Sequence, residues 1–291
     1  MNPPLAISRL TAITSLLGVW LATTVAPAQT AVIPRDKHAW GRFEVGAWTK
    51  VRKLTEEVNA QGSVTAVSTT ETKTTLVELD DKGFVVQSEI TVEVSGKRFL
   101  AQPKTVCLGY QGETSGEGNT LKKIGTEMFE LGGLKTPCDR LEGTIGAGPS
   151  RAISVIYYSD RVAPYVLKRE VKSVGSSPDL PPRQSSVADV IAVAMPYKVL
   201  AEIKTAAFIR TLQQHDKGTT VTVEVYCPDV PGGVVANTSK ELNEAGRIVR
   251  RSTLELLDYG IGDDKDEAGR RVFLFHRKSP RRAVSPLPPG S

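Results

Sequence analysis

Hydrophobic and polar positions along most of this chain follow the spacing of β-strands. The segment VTAVSTTETKTTLVELD (64–80) is rich in β-branched residues, and FVVQSEITVEV (84–94) alternates in part, at Val85, Ser88, Ile90, Val92 and Val94. β-Branched side chains fit a pleated surface, and a period of two places alternate residues on one face of a sheet. The pattern predicts a meander of long strands in the N-terminal part of the chain.

Two segments are less clear. In WTKVRKLTEEV (48–58) the apolar residues have helical spacing, but the segment leads directly into a turn, which favours a strand. SSVADVIAVAM (185–195) fits a strand or a short helix capped by Ser186 and Asp189, and Pro196 is expected to end either element.

One turn pattern occurs three times, in VNAQGSV (58–64), LDDKGFV (79–85) and LNEAGRI (242–248). Each has Asn or Asp at the first position and Gly at the fourth. The short side chain accepts hydrogen bonds from the turn, and Gly accepts the positive φ that follows. The pattern predicts hairpin turns at Asn59 and Gly62, at Asp80 and Gly83, and at Asn243 and Gly246.

A longer similarity indicates an internal repeat. When ISVIYYSDRVAPYVLKREV (153–171) is placed on VTVEVYCPDVPGGVVANTS (221–239) without gaps, four positions coincide: Val155, Tyr158, Val162 and Val166 with Val223, Tyr226, Val230 and Val234. We call this pairing the repeat alignment. Upstream, LGGLKT (131–136), interpreted as the end of a strand, matches LAEIKT (200–205) after a slip by a single position. We expect two related units, at about 126–180 and 195–260.

Within these units, two proline-containing turns invite a functional interpretation. Proline restricts φ and removes a hydrogen-bond donor where a strand must end, and glycine permits the chain to reverse. Because the turn occurs twice with different residues, we interpret both copies as structural corners that border a binding face. The corner residues are Tyr158, Val162 and Pro164 in the first copy, and Tyr226, Pro228, Val230, Pro231, Gly232 and Gly233 in the second.

These elements predict a mainly β fold: a curved antiparallel sheet or sheets built from hairpins, as a half-barrel or as two repeated β units, with few short helices. The expected organisation is a signal peptide (1–28), an N-terminal β meander (29–125), a β region (126–275) that is either separate from the meander or continuous with it, and a disordered basic, proline-rich tail (276–291).

The segment 1–28 has the layout of a secretory signal peptide. Arg9 precedes an apolar stretch from Leu10 to Val25, and Ala26-Pro27-Ala28 matches a cleavage site. The apolar stretch is shorter than the roughly 20 residues that span a bilayer. We expect cleavage before Gln29 and a soluble mature protein in the periplasm or outside the cell, with no transmembrane helix.

The charge distribution argues against a dedicated nucleic-acid-binding domain. The whole chain carries +5, but six basic residues and no acid lie after residue 269, and residues 29–269 hold 30 Lys and Arg against 32 Asp and Glu. A nucleic-acid domain normally carries its cations on the folded body.

The residues that carry most enzyme chemistry are sparse. The three histidines (His38, His215, His276) are far apart, and the motifs G-x-S-x-G, H-E-x-x-H and the P-loop are absent from the sequence. The acidic run at 263–267 lacks the frame of an EF-hand. Cys107, Cys138 and Cys227 are odd in number, so we expect one disulfide of undetermined pairing and one free thiol. The sequence predicts no catalytic residue, no cofactor and no metal site.

The corner YCPDVPGGVV (226–235) resembles corners in uncharacterised exported bacterial β-rich proteins, in which a strand ending in Tyr runs into Val-Pro and a turn of small residues. The partner corner departs from that pattern at Pro164 and Tyr165. The order of elements is also loosely similar to the curved sheets of periplasmic lipoprotein carriers, which hold acyl chains on a concave face.

The export signal, the long β-branched strands and the absence of catalytic motifs in the sequence favour a non-enzymatic binding or carrier module, which holds an apolar ligand or a partner segment on a concave sheet face and has an apolar concavity near the corners. The alternative is a structural or interaction protein of the cell envelope whose basic tail docks on an anionic surface or on an envelope partner protein. An enzyme without a recognisable motif ranks third.

Overall fold

A computed structural model describes residues 30–110, 121–145, 151–173 and 184–262. These residues form fifteen β-strands and one 3-10 helix at Arg35–Lys37, so the mainly β, antiparallel fold class is confirmed. The predicted signal peptide, the acidic run, the basic tail and His276 lie outside the described residues. Within the described residues, no helix has the length and apolar character needed to cross a bilayer.

All fifteen strands belong to one antiparallel sheet. Their bounds are β1 Thr30–Ala31, β2 Trp48–Val58, β3 Val64–Leu79, β4 Gly83–Val94, β5 Lys97–Leu100, β6 Lys104–Gly109, β7 Leu121–Leu131, β8 Leu134–Ile145, β9 Ala152–Tyr158, β10 Val166–Ser173, β11 Ser185–Val199, β12 Glu202–His215, β13 Gly218–Tyr226, β14 Val234–Asn243 and β15 Ile248–Gly260. The spatial order is β1-β7-β8-β9-β10-β11-β12-β13-β14-β15-β2-β3-β4-β5, with β6 also on β4.

The two parts of the chain meet where β15 pairs with β2, for example at Ser252 and Thr55. The N-terminal meander is therefore continuous with the later β region. Strand β2 occupies the segment predicted as a strand despite its helical spacing.

The segment left open between helix and strand lies in β11. Pro196 does not end this strand but lies inside it, opposite Thr205 of β12. The reason is local: the pairing of β11 with β10 reaches only as far as Asp189, which pairs with Lys168. Beyond that point β11 has one neighbour, and an edge position tolerates the missing N–H of proline.

The sheet is strongly curved. Its order places β6 and β7 about twelve strand spacings apart, which in a flat sheet is about 58 Å. Only the segment 110–120 connects Gly109 to Leu121, and an extended chain of that length reaches about 43 Å at most. Consistent with this, Phe129 and Leu131 of β7 and Val190 of β11 belong to one apolar cluster although three strands separate β7 from β11.

The two ends of the sheet differ in packing. At one end, here the corner end, lie the β7–β8, β9–β10, β11–β12, β13–β14 and β3–β4 connections, and most of the buried apolar side chains cluster near it. At the other, the open end, lie the β2–β3, β12–β13 and β14–β15 hairpins, and apolar residues there such as Val64, Val67 and Ile248 are exposed.

Residues 30–47 form an N-terminal strap that crosses from one edge of the sheet to the other. Its first residues pair with β7, and Ile33 packs against Leu121 and Ile156. Further on, Trp40 and Phe43 pack against the cluster that contains Phe84 of β4. A short stretch of chain thus links the two edges, and the strap fills the space at the corner end.

Candidate functional site

In each of the three predicted turns, the side chain of the first residue accepts hydrogen bonds from backbone N–H groups of the turn. Asn59 Oδ1 accepts hydrogen bonds from the N–H groups of Gln61 (3.0 Å) and Ser63 (2.9 Å), and Asn243 Oδ1 accepts them from Ala245 (3.1 Å) and Arg247 (3.0 Å). Both turns lie at the open end. Their glycines have positive φ, 82° at Gly62 and 72° at Gly246, and a Cβ there would meet nothing within 4 Å.

The Asp80 turn also has a glycine, Gly83, but it requires glycine for a different reason from the other two turns. Asp80 Oδ1 accepts hydrogen bonds from Lys82 (2.7 Å) and Gly83 (2.8 Å), which lowers the pKa of the Asp80 carboxyl. Gly83 is the first residue of β4 and has no positive φ. A Cβ at this position would collide with the carbonyl oxygen of Leu108, so close approach of a neighbouring strand requires glycine.

The second corner is a compact, buried turn between β13 and β14. Cys227 donates a backbone hydrogen bond to Gly233 (2.7 Å), and Gly233 donates one to Val230 (2.8 Å). Cys227 and Val230 have no exposed surface, and Pro231 is fully buried. Tyr226, the last residue of β13, is buried, and burial raises its pKa to about 12; Pro228, after Cys227, is half-buried.

The two glycines of the second corner allow aromatic rings to come close. Gly232 (φ 77°) donates a hydrogen bond to Ala39 of the strap (3.1 Å), and a Cβ there would lie 2.9 Å from the Trp40 ring. Gly233 (φ 79°) faces Tyr226, and a Cβ there would overlap the Tyr226 ring. The corner is therefore fixed to the strap.

The first corner, between β9 and β10, has backbone hydrogen bonds at the equivalent positions of the repeat alignment. Ser159, directly after Tyr158, donates to Tyr165 (2.8 Å), and Tyr165 donates to Val162 (2.9 Å). Tyr165 has a φ of 70°, like Gly233, and the bond from Ala163 to Pro164 is cis. The Lys37 ammonium of the strap lies 4.8 Å from the centre of the Tyr165 ring.

The connections before the corners follow the same repeat alignment. The β7–β8 turn is Gly132–Gly133 and the β11–β12 turn is formed by 200–201, so the two turns align without any slip. The L-x-x-[LI]-K-T segments were wrongly assigned to a strand end. The turn lies inside them, and the next strand begins with Leu-Lys-Thr in β8 and with Glu-Ile-Lys-Thr in β12. Leu200 adopts a φ of 53° there without being glycine.

His38 has a structural role in the strap, which its hydrogen bonds and ring contacts show. Its Nδ1 accepts hydrogen bonds from the N–H groups of Trp40 (3.1 Å) and Gly41 (3.3 Å), and its ring lies 4.8 Å from that of Phe84. Burial lowers the pKa of His38 to about 4, so the ring is neutral at physiological pH. A neutral, acceptor Nδ1 is what these two donors require.

The alternating side chains of the sheet give it two unlike faces. The outer face carries ion pairs, which include Arg52 with Glu71 (2.9 Å) and Arg210 with Asp189 (3.2 Å), and Arg251 with Glu56. Along β15 the outer positions 251, 253 and 255 are all exposed. Such exposed pairs contribute little to stability and mark a surface in contact with solvent.

The inner face consists of the intervening positions of β12–β15 and β2–β4. The register aligns two rows of side chains across these strands. One row is Ile209, Glu224, Asn237, Leu254, Lys53, Thr70 and Val92; the next, nearer the open end, is Thr211, Thr222, Ser239, Ser252, Thr55, Ser68 and Val94. Most of these residues are half-buried, and Ser252 is 8% exposed.

Among the described residues, no ion pair includes a member of these two rows. The nearest pairs on this face lie at the open end, where Arg250 contacts Glu241 (2.9 Å) and Glu57 (3.6 Å). The inner face is thus a half-covered surface of apolar and hydroxyl side chains with a charged rim.

Glu224 and Lys53 are the two charged residues of these inner rows, and Glu224 is the half-buried one. It lies on β13 between Ile209 of β12 and Asn237 of β14, and burial raises the pKa of its carboxyl to about 7. No hydrogen bond or ion pair to Glu224 is present among the described residues. Sequence reasoning missed it, because a glutamate in VTVEVY looks like an ordinary surface position; its match with Ile156 in the repeat alignment was the available signal.

Open depressions of the surface lined by described residues include no corner residue in the three cases that follow. One, of about 530 Å³, lies on the outer face and is lined by Lys50, Glu71, Lys73, Glu89, Thr91, Arg98 and Leu100. The others, of about 410 and 350 Å³, lie at the open end. The corners are filled by their own side chains and by the strap.

The expected disulfide is absent. Cys138 and Cys227 are buried in different apolar clusters, and Cys107 is exposed on β6, so all three thiols are free. Burial raises the pKa of Cys138 to about 11, which disfavours the reactive thiolate. In the described part of the chain, no group of three or more His, Cys, Asp and Glu residues is arranged to hold a metal ion.

No protein-family model and no curated protein sequence matches this chain. Among solved structures, the chain is similar to a protein from Bacteroides fragilis assigned as exported, with a YmcC-like fold (13% identity, 74% of this chain and 97% of that one, TM-score 0.31). It is also similar to a protein from Parabacteroides distasonis assigned as a lipoprotein (10% identity, 75% and 96%, TM-score 0.29). These TM-scores are too low for the likeness to carry a functional conclusion.

Proposed function

We propose that this protein is an exported, non-enzymatic binding module whose concave inner sheet face holds an apolar ligand or an extended partner segment. One observation carries the proposal: the two faces of the same strands differ in exposure and in charge. The outer face of these strands is mostly exposed and carries ion pairs, whereas most residues of the two inner rows are half-buried, with Lys53 and Val94 excepted, and none of them forms an ion pair within the described residues.

The inner face favours a ligand that removes apolar surface from water. Covering apolar area contributes roughly 25 cal/mol per Å², and the half-buried residues Ile209, Leu254 and Val92 offer such area without the cost of breaking ion pairs. Serine and threonine between them are short, so they leave room above the sheet for a chain-like ligand. Their hydroxyls also have local partners, as when Thr222 donates to Ser239 (2.9 Å).

The ends of the sheet suggest how a ligand enters. The strap and the buried corners fill the corner end, so the open end is the accessible route to the inner face. The binding face we propose therefore lies beside the corners and not within them, because Val230 and Cys227 have no exposed surface.

A pair of substitutions on β14 tests this proposal. Ser239 lies on the inner face and its neighbour Thr238 is exposed on the outer face. Ser239→Trp should weaken binding of a fluorescent apolar probe at least tenfold, and Thr238→Trp should leave it unchanged. Extraction and native mass spectrometry of the purified protein should also release a bound apolar species. Absence of any bound species together with equal probe binding by both variants would reject the inner face as the site.

We also propose that the segments at about 126–180 and 195–260 are two copies of one unit within the β region. Matching corner hydrogen bonds and matching cluster residues support this: in the repeat alignment, Leu131, Cys138, Tyr157 and Leu167 correspond to Val199, Ala206, Val225 and Val235. Under this proposal, corresponding residues of the two copies form equivalent apolar clusters. The copies differ on the inner face, which the strap covers at Ile156 in the first copy.

The envelope alternative rests on the six basic residues after residue 269. Attraction of roughly 1 kcal/mol per cation to an anionic surface is sufficient for salt-sensitive docking. Truncation at residue 276 removes four of these six residues and should then release the protein from envelope fractions at low salt without changing probe binding. Unchanged retention would argue against a docking tail.

A further inference from the structure

We propose that Glu224 selects the ligand of the inner face, and that it favours an alkyl chain with a protonated amine headgroup over one with a carboxylate. This inference rests on the proposed function, because it assigns the polar end of the ligand that the inner face would hold.

Glu224 lies where a ligand could contact its carboxyl group and apolar side chains at the same time. Glu224 lies in the middle strands of the inner face, opposite Ile209 on one side and Asn237 on the other. Ile209 packs against the apolar cluster of β7–β12, and Leu254 lies two strands from Glu224 in the same row. A ligand whose polar end meets Glu224 therefore has apolar surface on both sides for its chain.

The carboxyl group of Glu224 has no hydrogen-bond donor among the described residues. A half-buried carboxylate without a donor is unfavourable, and a bound cationic donor would supply both the hydrogen bond and the opposite charge. The raised pKa of Glu224 agrees with this lack of a partner. Its neighbours Ile209 and Asn237 add no charge, and Tyr226, the next inner residue on β13, is neutral at physiological pH.

Equivalent positions in the two units support the same assignment. Ile156, which corresponds to Glu224 in the repeat alignment, is 2% exposed and packs beneath Ile33 of the strap. The strap thus covers this position in the first unit with an apolar side chain. In the second unit a carboxyl group replaces the isoleucine, and no described residue covers it with a polar partner.

Charge on the inner face distinguishes the headgroups. The other acids on this face, Glu241 and Glu57, lie at the rim and both contact Arg250. Lys53 is in the same row as Glu224 but three strands away, or about 14 Å. Lys53 forms no ion pair with Glu224, so an anionic headgroup at Glu224 would meet repulsion, whereas at Lys53 it would meet attraction.

The test compares three probes of equal chain length: dodecylamine, dodecanol and dodecanoate. Each displaces a fluorescent apolar probe from the full mature protein at pH 8, where Glu224 is mostly ionised. We expect dodecylamine to bind about tenfold more tightly than dodecanol, and dodecanoate to bind most weakly. Glu224→Gln should make dodecylamine and dodecanol equal.

Glu255→Gln is the matched control, because Glu255 is exposed on the outer face of β15 and contacts Arg52 (3.5 Å). This variant should retain the order of the three probes. Equal binding of all probes by the natural protein, tighter binding of dodecanoate, or an unchanged order in Glu224→Gln would overturn the assignment and leave the proposed function intact. Failure of all three probes to bind would overturn both this assignment and the apolar-ligand form of the proposed function.

Discussion

The two proline corners share a backbone and differ in what fills it. In the first corner, Ser159 donates a backbone hydrogen bond to Tyr165, and Tyr165 donates one to Val162. In the second corner, Cys227, Gly233 and Val230 form the same two hydrogen bonds. The second corner uses Gly232 and Gly233 to admit the rings of Trp40 and Tyr226. The first uses Pro164 and Tyr165, and the Tyr165 ring faces Lys37.

This difference shows that the conformation of the corner can be specified by more than one set of residues. Glycine at position 233 is required by φ and by a close ring, whereas Tyr165 adopts the same region of φ at some cost in strain. Corners that close on the strap leave no space for chemistry. The functional contrast lies on the adjoining sheet, where Ile156 of one unit corresponds to Glu224 of the other.

The largest effect is expected from Gly233→Val. A β-branched residue at a φ of 79° is strained, and its side chain would overlap the Tyr226 ring, so the free energy of unfolding should fall by about 3 kcal/mol or more. Thermal unfolding measures this. Gly62→Val, with a similar φ but open space, is the control and should cost only about 1–2 kcal/mol; equal losses would contradict the close packing.

The next largest effect is the difference in the free energy of unfolding between alanine variants of the two corner valines. Val230 has no exposed surface, and Val162 is half-buried. Truncation to alanine should cost about 2 kcal/mol at Val230 and about 1 kcal/mol at Val162, because the cost follows the packing that is lost. Denaturant unfolding of the two variants under identical conditions checks the difference. A larger loss at Val162 would mean that the first corner is the more tightly packed.

The Ile156–Glu224 contrast should appear in the pH dependence of stability. The pKa of Glu224 is raised in the folded protein from 4.5 to about 7, so its destabilising effect is absent below pH 4.5, grows as the pH rises and is complete above about 7. The full shift corresponds to about 3 kcal/mol, and solvent screening of the half-buried carboxyl group reduces it. Glu224→Gln should therefore stabilise the protein by between about 1 and 2 kcal/mol at pH 8 and by nothing at pH 4.

Unfolding midpoints of the natural protein and Glu224→Gln between pH 4 and 8 test this prediction. The protonation of His38, whose pKa is lowered to about 4, affects both proteins equally and cancels in the difference. A constant difference at every pH would show that Glu224 is not responsible.

The smallest effect is expected from Tyr165→Gly. Glycine relieves the strain of a positive φ, but it raises the entropy of the unfolded chain and removes the contact with Lys37. These contributions nearly cancel, so the free energy of unfolding should change by less than about 1 kcal/mol. Tyr165→Phe keeps the ring and is the control; a large loss for glycine alone would show that the Lys37 contact matters more than the strain.

The strands and turns that the sequence predicts correctly depend on the chemistry of residues close together in the chain. β-Branched residues and alternation indicated the strands, and the Asn/Asp-x-x-Gly pattern lies between strands, with side-chain hydrogen bonds at Asn59, Asp80 and Asn243. These features depend on residues a few positions apart. Pro196 and Gly83 were misjudged because their roles depend on which strand lies beside them, which the residues next to them in the sequence do not reveal.

By itself, the sequence determined the mainly β class and the positions of many strands, because side-chain shape and spacing act locally. Only the tertiary structure decided that β15 joins β2 into one sheet, that the strap fills the corner end, and that Glu224 lies half-buried without a partner among the described residues. Burial and solvation of a side chain depend on residues far away in the sequence. For that reason the corner YCPDVPGGVV, whose composition suggests a reactive loop, is a packed turn. Glu224, which has no special sequence context, is the candidate for ligand recognition.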